Sequence, residues 1–194
     1  MQSLKILSIA TILGAAVAAP GEAHAQSIIR IPGDHPNYAV EVEPHGLLGW
    51  ADLYAGSGFG LGGRFSIPIV SNGFVPTINN SVGIGLGLDW VHYSGCYFSG
   101  DRGCSANYFL FPVVLQWNFW LTPQWSVFGE PGIFIYHGSW NSGFCNGIDG
   151  CRYPTATSVD PAFYIGARYH FNARTSLTMR VGYPTISVGV SFFP

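Results

Sequence analysis

Three small groups of residues in this sequence have types and spacings that suit chemistry. His137 and Ser139 are two positions apart, so in an extended strand they point the same way, where an imidazole could take the proton of the serine hydroxyl. Arginines and carboxylates recur at alternate positions of apolar segments, which favours a buried cluster of ion pairs. Four cysteines occur as two close pairs, which allows disulfide cross-links.

A fourth pattern can be set aside. Residues 58–63 match the dinucleotide-binding pattern G-x-G-x-x-G, but that pattern binds pyrophosphate only where a helix follows, and residues 64–67 read as strand. The cysteines are not spaced as C-x-x-C, and His35, His45 and His92 have no metal-ligand spacing. We therefore expect no cofactor and no metal.

Composition limits the framework that can position these groups. The 194 residues are 48% hydrophobic, 15% aromatic and only 9% charged, with 26 glycines, which excludes a disordered chain and a coiled coil. The net charge of −2 gives no electrostatic basis for a nucleic-acid partner, and we expect none. After residue 25 no apolar run reaches the roughly 18 residues that a spanning helix needs.

Residues 1–25 are predicted to be a secretory signal peptide. Lys5 precedes an apolar stretch over Ile6–Ala19, and the segment ends in the small-residue cleavage site Ala23–Ala25. The mature chain would begin at Gln26, and its cysteines would meet an oxidising compartment.

From Gly46 onward the hydrophobic period is two, which indicates strands. In residues 81–94 one face is mainly glycine and the other is apolar: Val82, Ile84, Leu86, Leu88 and Trp90. A soluble sandwich would place Lys, Glu and Thr opposite such a face. Small residues and a few charges there indicate instead a barrel whose outside contacts lipid and whose narrow interior is polar.

The predicted fold class is all-β, an eight-stranded antiparallel up-and-down transmembrane barrel over residues 46–194. Its strands are placed at 46–55, 58–69, 81–94, 107–120, 125–140, 158–171, 175–182 and 185–193. Residues 26–45 are interpreted as a periplasmic lead-in, although Val40–Glu43 alternates and could extend the first strand. The long connections 95–106 and 141–157 fall at the outer end.

The last strand, Ile186–Phe193, alternates and ends in two aromatic residues. In this strand and in its architecture the chain resembles the small eight-stranded outer-membrane barrels of Gram-negative bacteria, the class of the OmpA transmembrane domain, OmpX and OmpW. The resemblance implies a bacterial outer-membrane location, contact with outer-membrane lipid and lipopolysaccharide, and recognition by the barrel assembly machinery through the C-terminal strand. We expect a monomer. Pro194 departs from the class, which normally ends on the aromatic residue.

Strand parity predicts which side chains enter the barrel. The lumen is expected to hold an ion-pair network of Asp52, Arg64, Asp89, Glu130, Arg168, His170 and Arg180, and by parity it also receives Asp160. An aromatic girdle at the membrane interfaces is assigned to Trp90, Trp117, Trp125 and Trp140. The network would plug a narrow barrel; a gated pore whose ion pairs exchange partners is the alternative.

Cys96 and Cys104 lie in one outer connection, and Cys145 and Cys151 lie in another. Two short-range disulfides are the simplest pairing. Four cysteines nevertheless allow three connectivities, and the sequence does not choose between them.

A structural or surface-interaction role is the interpretation that these features favour, and we expect no enzymatic activity. A narrow pore or transporter for small or hydrophobic solutes is one alternative. A second is an acyl hydrolase, because residues 137–139 resemble the His-x-Ser element of the outer-membrane lipid A deacylases, in which a glutamate orients the histidine. Here Glu130 and Asp160 are both predicted to face the lumen, so no orienting acid is in place.

Overall fold

The computed structural model describes residues 26–49, 58–94, 105–141 and 155–194, which form a closed barrel of eight antiparallel strands. The strands are β1 (Glu41–Gly49), β2 (Gly58–Val70), β3 (Asn80–Ser94), β4 (Ser105–Trp120), β5 (Trp125–Asn141), β6 (Thr155–Asn172), β7 (Thr175–Tyr183) and β8 (Thr185–Phe192). Each strand pairs with its neighbours in sequence, and β1 pairs with β8. The predicted fold class is confirmed. The predicted signal peptide lies outside the described residues.

The two ends of the barrel differ in their connections. At one end, called the turn end here, residues 71–79, 121–124 and 173–174 join the strands, and both the N-terminal segment and the C-terminus lie there. At the opposite end, the loop end, the connections are Pro184 and residues 50–57, 95–104 and 142–154, these last three outside the described residues. In the described part of the chain, no helix is both long and apolar enough to cross a membrane.

Every strand exposes large apolar side chains on the outside of the barrel. One example from each strand, in chain order, is Leu48, Phe59, Leu86, Phe109, Ile133, Ile165, Met179 and Val188. The opposite parity carries the buried charged side chains, among them Arg64, Asp89 and Arg180. A barrel that faces lipid has apolar side chains outside and charged side chains inside. A barrel in water would have charged side chains outside and apolar ones inside.

The interior has two different halves. Buried charged and amide groups occupy the turn-end half and the middle of the barrel. The half toward the loop end is filled by a packed apolar and aromatic cluster of Leu47, Val91, Tyr93, Ala106, Tyr108, Leu110, Val114, Phe134, Ala162 and Tyr164. The expectation of a polar interior therefore does not extend to this half. A lumen as narrow as that of an eight-stranded barrel is filled by side chains, and once water is excluded, apolar groups are stable there.

β1 begins five residues earlier than predicted, at Glu41 rather than Gly46. Glu41, Glu43 and His45 are buried, so the predicted lead-in over 26–45 is corrected to residues 26–40. Acidic side chains are stable at these positions because they face the lumen, where cationic groups meet them. The other seven strands lie within three residues of their predicted bounds.

Residues 26–40 fold across the turn end and are called the cap here. The backbone amide of Ile28 donates a hydrogen bond to Leu121 O at 2.9 Å, and that of Asn79 donates to Ile29 O at 2.7 Å. The Asn79 side chain, which is fully buried, donates from Nδ2 to Asp34 O at 2.7 Å. The cap is thus hydrogen-bonded to two of the connections at this end.

Aromatic rings pack beneath the cap. The ring of His35 stacks on Trp120 with centroids 5.2 Å apart, and the ring of Tyr38 meets Phe193 edge-on at 4.8 Å. His170 packs between Trp120 and Phe193, at 5.1 Å and 5.7 Å. A cavity of about 400 Å³ remains between the cap and the barrel mouth.

Substituting Asn79→Ala should loosen the cap without opening the barrel. It removes a buried side-chain hydrogen bond, which costs roughly 1–2 kcal/mol of unfolding free energy. Amide hydrogen exchange in residues 28–36 should quicken, while exchange in β4 and β5 stays slow. The exposed neighbour Thr77→Ala is the control, and equal exchange in both variants would contradict this role for Asn79.

Candidate functional site

Arg180 occupies the centre of the lumen between two carboxylates. From β7 its Nη1 and Nη2 donate to Glu43 Oε1 and Oε2 of β1 at 2.7 and 3.0 Å. Its Nε and Nη2 donate to Glu130 Oε2 and Oε1 of β5 at 2.9 and 3.2 Å. All three side chains are 1% exposed or less. The planar guanidinium suits this arrangement because it can offer two parallel donors on each of two edges.

A second arginine forms a similar pair nearer the turn end. Arg168 donates from Nε and Nη2 to Glu41 Oε1 and Oε2 at 2.9 and 2.8 Å, and from Nη1 to Asn118 Oδ1 at 2.7 Å. The ring of Phe128 contacts both guanidinium groups, 4.2 Å from that of Arg168 and 5.0 Å from that of Arg180. Such cation–π contacts add about 1–2 kcal/mol where water is excluded.

His45 connects the central arginine cluster to Asp89. Its Nδ1 lies 3.2 Å from Glu43 Oε1 and its Nε2 lies 3.0 Å from Asp89 Oδ1. Two carboxylate neighbours suit an imidazolium, which donates from both ring nitrogens, whereas a neutral ring has only one donor. Asp89 Oδ2 lies 3.6 Å from Arg64 Nη2, and the Arg64 guanidinium lies over the ring of Tyr164 at 5.0 Å.

Two amides join these pairs into one network. Asn118 donates to Gln116 Oε1 at 3.4 Å, and Gln116 donates to Glu130 Oε1 at 3.0 Å. The described network therefore has four carboxylates, and its cations are three arginines and His45. With His45 as imidazolium the charges balance, four against four: Glu41, Glu43, Asp89 and Glu130 against His45, Arg64, Arg168 and Arg180.

Two glycines of the barrel wall make room for the network. A Cβ at Gly62 would collide with Asp89 Oδ1 and lie 2.7 Å from His45 Nε2. A Cβ at Gly87 would lie 2.9 Å from Arg64 Cδ. The glycine-rich lumen face of β2 and β3 thus provides space for charged side chains that reach inward from neighbouring strands.

The predicted lumen residues have different positions in the structure. Arg64, Asp89, Glu130, Arg168 and Arg180 belong to the network. His170 is buried apart from it, where its Nε2 lies 2.9 Å from Ser126 Oγ, and Asp160 is half-buried toward the loop end with no ion pair among the described residues. Asp52 and the four cysteines, Cys96, Cys104, Cys145 and Cys151, lie outside the described residues.

Sequence reasoning missed Glu41, Glu43 and His45 as lumen residues. The available signal was their strict alternation with Val42 and Pro44, together with three predicted lumen arginines that needed partners. Acidic residues near a chain terminus are usually solvated, and that expectation favoured a lead-in.

At the edge of the network, the cap contributes one titratable group. Burial raises the pKa of the Tyr38 phenol above its usual value, and the Glu41 carboxylate raises it further, while Arg168 opposes both. The phenol therefore stays neutral, which suits its position against Phe193.

The predicted girdle residues lie at two levels. Trp117 and Trp125 are near the turn end, where Trp117 donates to Asn80 Oδ1 at 2.9 Å and Trp125 packs on Tyr169 at 5.1 Å. Trp90 lies near the loop end, half-buried beside His92. The side chain of Trp140 is outside the described ones.

His137 and Ser139 both lie on the outer face of β5. His137 Nδ1 is 2.9 Å from Thr157 Oγ1, so a hydroxyl occupies the position where a serine hydrolase would hold a carboxylate. Glu130 is committed to Arg180 in the lumen. Within residues 26–49, 58–94, 105–141 and 155–194, no group of three His, Cys, Asp or Glu residues could hold a metal ion.

Comparison with solved structures finds the same fold in small outer-membrane barrels. OprG, an outer-membrane protein of Pseudomonas aeruginosa, matches with a TM-score of 0.53 and 11% identity over 84% of this chain and 93% of its own. Ail, the attachment invasion locus protein of Yersinia pestis, matches in its complex with the heparin analogue sucrose octasulfate. The TM-score is 0.51 and the identity 11%, over 81% of this chain and 98% of Ail. The predicted likeness to the small eight-stranded barrels is confirmed. No family model and no curated protein sequence matches the chain.

The pair of Arg168 and Glu41 can be tested by a double-mutant cycle. Arg168→Met alone should cost about 3–5 kcal/mol of unfolding free energy, because it leaves Glu41 buried without its partner. Glu41→Leu alone should cost a similar amount. The double variant should be more stable than either single variant, since it leaves neither charge unpaired. Urea unfolding in phospholipid vesicles measures all four proteins, and strictly additive losses would contradict the pairing.

Proposed function

We propose that the protein is an integral outer-membrane barrel, closed to solutes, which serves as a structural and surface-presenting element of the bacterial envelope. The apolar exterior and the shared fold support the location. The main evidence that the barrel is closed to solutes is the position of Arg180. Its guanidinium is hydrogen-bonded to both Glu43 and Glu130, and the three side chains fill the lumen at mid-height.

Three successive layers oppose passage through the barrel. The cap covers the turn end, the ion-pair network fills the middle, and the aromatic cluster fills the half toward the loop end. Moving an ion through the middle layer would separate buried partners, at a cost of several kcal/mol for each unpaired charge. A filled interior thus favours a structural role over a pore.

The connections support an orientation with the turn end in the periplasm, since barrels of this type have short periplasmic turns and longer outer loops. Recognition by the barrel assembly machinery would then use the exposed aromatic of the last strand. Phe192 is exposed on the outside, whereas Phe193 is buried beneath the cap. Phe192 is therefore the residue that we assign to the terminal role.

Each described strand pairs with a neighbour on both sides in the closed barrel, which supports a monomer. The presented surface would be the connections 95–104 and 142–154, contacting lipopolysaccharide or an external ligand. Ser94 and Ser105, on either side of the first connection, pair in register. In the sequence Cys96 and Cys104 follow and precede this pair by two residues and one residue. This supports the pairing of Cys96 with Cys104, and the analogous position of Cys145 and Cys151 supports the second short-range disulfide.

Planar-bilayer recordings test the closed state. The purified protein should fold into an outer-membrane barrel that migrates differently in detergent gels before and after heating, yet give no steady current, because its lumen is filled. Discrete current steps that change in Glu130→Gln, and not in the lipid-facing control Val188→Ala, would establish a pore instead.

Peptide mapping without reduction tests the cysteines. Both linked peptides should pair cysteines within one connection, and Cys96→Ser should release the thiol of Cys104 alone. A cross-link between the two connections would contradict the proposed pairing.

A further inference from the structure

The outward faces of β3 to β6 change character where they reach the loop end. Hydrogen-bonding residues replace apolar ones there, and we call this set the polar rim: His92, Asn107, His137, Ser139 and Thr157. Asn107 pairs in register with both His92 and Ser139, and His137 pairs with Thr157. The five side chains therefore form one continuous patch across four strands.

Among the described residues the polar rim covers one side of the barrel. On the neighbouring strands the last described outward residues toward the loop end are apolar or aromatic: Leu48 of β1, Phe59 of β2, Tyr183 of β7 and Ile186 of β8. The four strands of the rim are also long, with 15 to 18 residues, whereas β7 has 9 and β8 has 8. If polar outward residues were a general feature of the loop end, they would occur on all eight strands rather than on β3 to β6.

The depth of the rim matches a lipid headgroup. On β5 the lipid-facing series runs from Trp125 to Ile135 and is followed by His137. Ten residues at roughly 3.3 Å each, on a strand tilted by about 40°, span about 25 Å, which is the height of the apolar band of such barrels. His137 therefore lies at the boundary between the acyl chains and the headgroups.

Within the side chains that the structure describes, the rim has hydrogen-bonding groups without a partner. Thr157 Oγ1 can donate to His137 Nδ1 at 2.9 Å, which puts the ring proton on Nε2. His92 Nδ1 can donate to Asn107 Oδ1 at 3.0 Å, which leaves the two N–H groups of the Asn107 amide. No described side chain partners His137 Nε2, Asn107 Nδ2 or Ser139 Oγ.

These three donors are close enough to meet one anionic group. Asn107 and Ser139 are cross-strand neighbours, about 5 Å apart, and His137 and Ser139 lie about 7 Å apart on one face of β5. A phosphoryl group between them could accept from two or three donors, and hydrogen bonds to charged oxygens are about twice as strong as neutral ones. Below the donors, Phe109 and Ile135 offer exposed surface for acyl chains.

We infer that the polar rim binds the phosphorylated sugar headgroup of an outer-leaflet glycolipid. The inference rests on the proposed outer-membrane location and orientation, and it adds a specific lipid site to them. Phosphate accepts from the imidazole, amide and hydroxyl donors, sugar hydroxyls can donate to Thr157, and the acyl chains lie along β4 and β5. A lipid without phosphate would lack the group that the three donors share.

Native mass spectrometry of the delipidated full-length protein in detergent tests the site. Diphosphoryl lipid A is the probe, and dephosphorylated lipid A, phosphatidylethanolamine and inorganic phosphate are the comparisons. Wild-type protein should bind diphosphoryl lipid A about tenfold more tightly than the dephosphorylated form, the gain expected from one to two charge-assisted hydrogen bonds. Millimolar inorganic phosphate should not displace it, because the acyl chains also contribute.

Substitutions in the polar rim test whether these residues cause the preference for diphosphoryl lipid A. The preference should fall below about twofold in His137→Phe and in Asn107→Leu, and it should survive in Ser139→Thr but weaken in Ser139→Ala. Tyr183→Phe removes a hydroxyl at the same end outside the rim and should change nothing. All variants should keep their heat-dependent gel migration, which shows that the barrel is folded.

Several results would overturn the inference: an unchanged preference in the rim variants, equal binding of phosphatidylethanolamine, or complete displacement by inorganic phosphate, which would assign the site to the free ion. These outcomes are distinct from failure of the proposed function. A protein absent from the outer-membrane fraction, or one that conducts ions, would refute the proposed function whatever lipid A does in detergent.

Discussion

Arg180 reaches from β7 across the lumen to carboxylates on β1 and β5, so one guanidinium ties together strands that are not neighbours in the sheet. This contact constrains the register of the barrel. A shift of β7 by one residue would turn Arg180 toward lipid, at a cost of roughly 2–4 kcal/mol near mid-membrane, and would leave Glu43 and Glu130 buried without it. The other ion pairs of the network connect to Arg180 and its two carboxylates through Gln116 and His45.

Ion pairs fill one half of the interior, and packed aromatic and apolar side chains fill the other. Where strands supply carboxylates and cations at the same height, the lumen is polar and every charged group has a partner of opposite sign. Toward the loop end the same inward parity supplies Tyr93, Tyr108 and Phe134, and the lumen is filled by packed rings. Side chains thus fill the narrow interior in both halves, by ion pairs in one and by packed rings in the other.

Much of this fold could be predicted because the outward face of each strand is apolar over most of its length. Lipid selects apolar residues at every second position, so the strands over 81–94 and 185–193 were readable from local pattern alone. The start of β1 was not, because Glu41 and Glu43 resemble solvated residues until their partners are known. Those partners, Arg168 and Arg180, are more than a hundred residues away in sequence, and they meet only when the barrel is closed.

In the candidate site, too, the local sequence pattern predicted some features, and others depend on contacts between distant residues. Parity identified the inward residues Arg64, Asp89 and Glu130, but it could not say which residues touch, because heights counted from turns leave an uncertainty of one or two residues per strand. The His137–Ser139 spacing was visible in the sequence, whereas Thr157 and Asn107 came beside them only through strand pairing. Such cross-strand neighbours depend on register, which a local pattern does not encode.

The cap has a consequence for the order of assembly. Tyr38 of the cap packs on Phe193, which follows β8, and β1, the strand that follows the cap, pairs with β8. These contacts need β8 in place beside β1, so they cannot form before the barrel has closed. Docking of the cap therefore follows the pairing of β8 with β1. The contact of Tyr38 with Phe193 is accordingly a marker of the closed barrel.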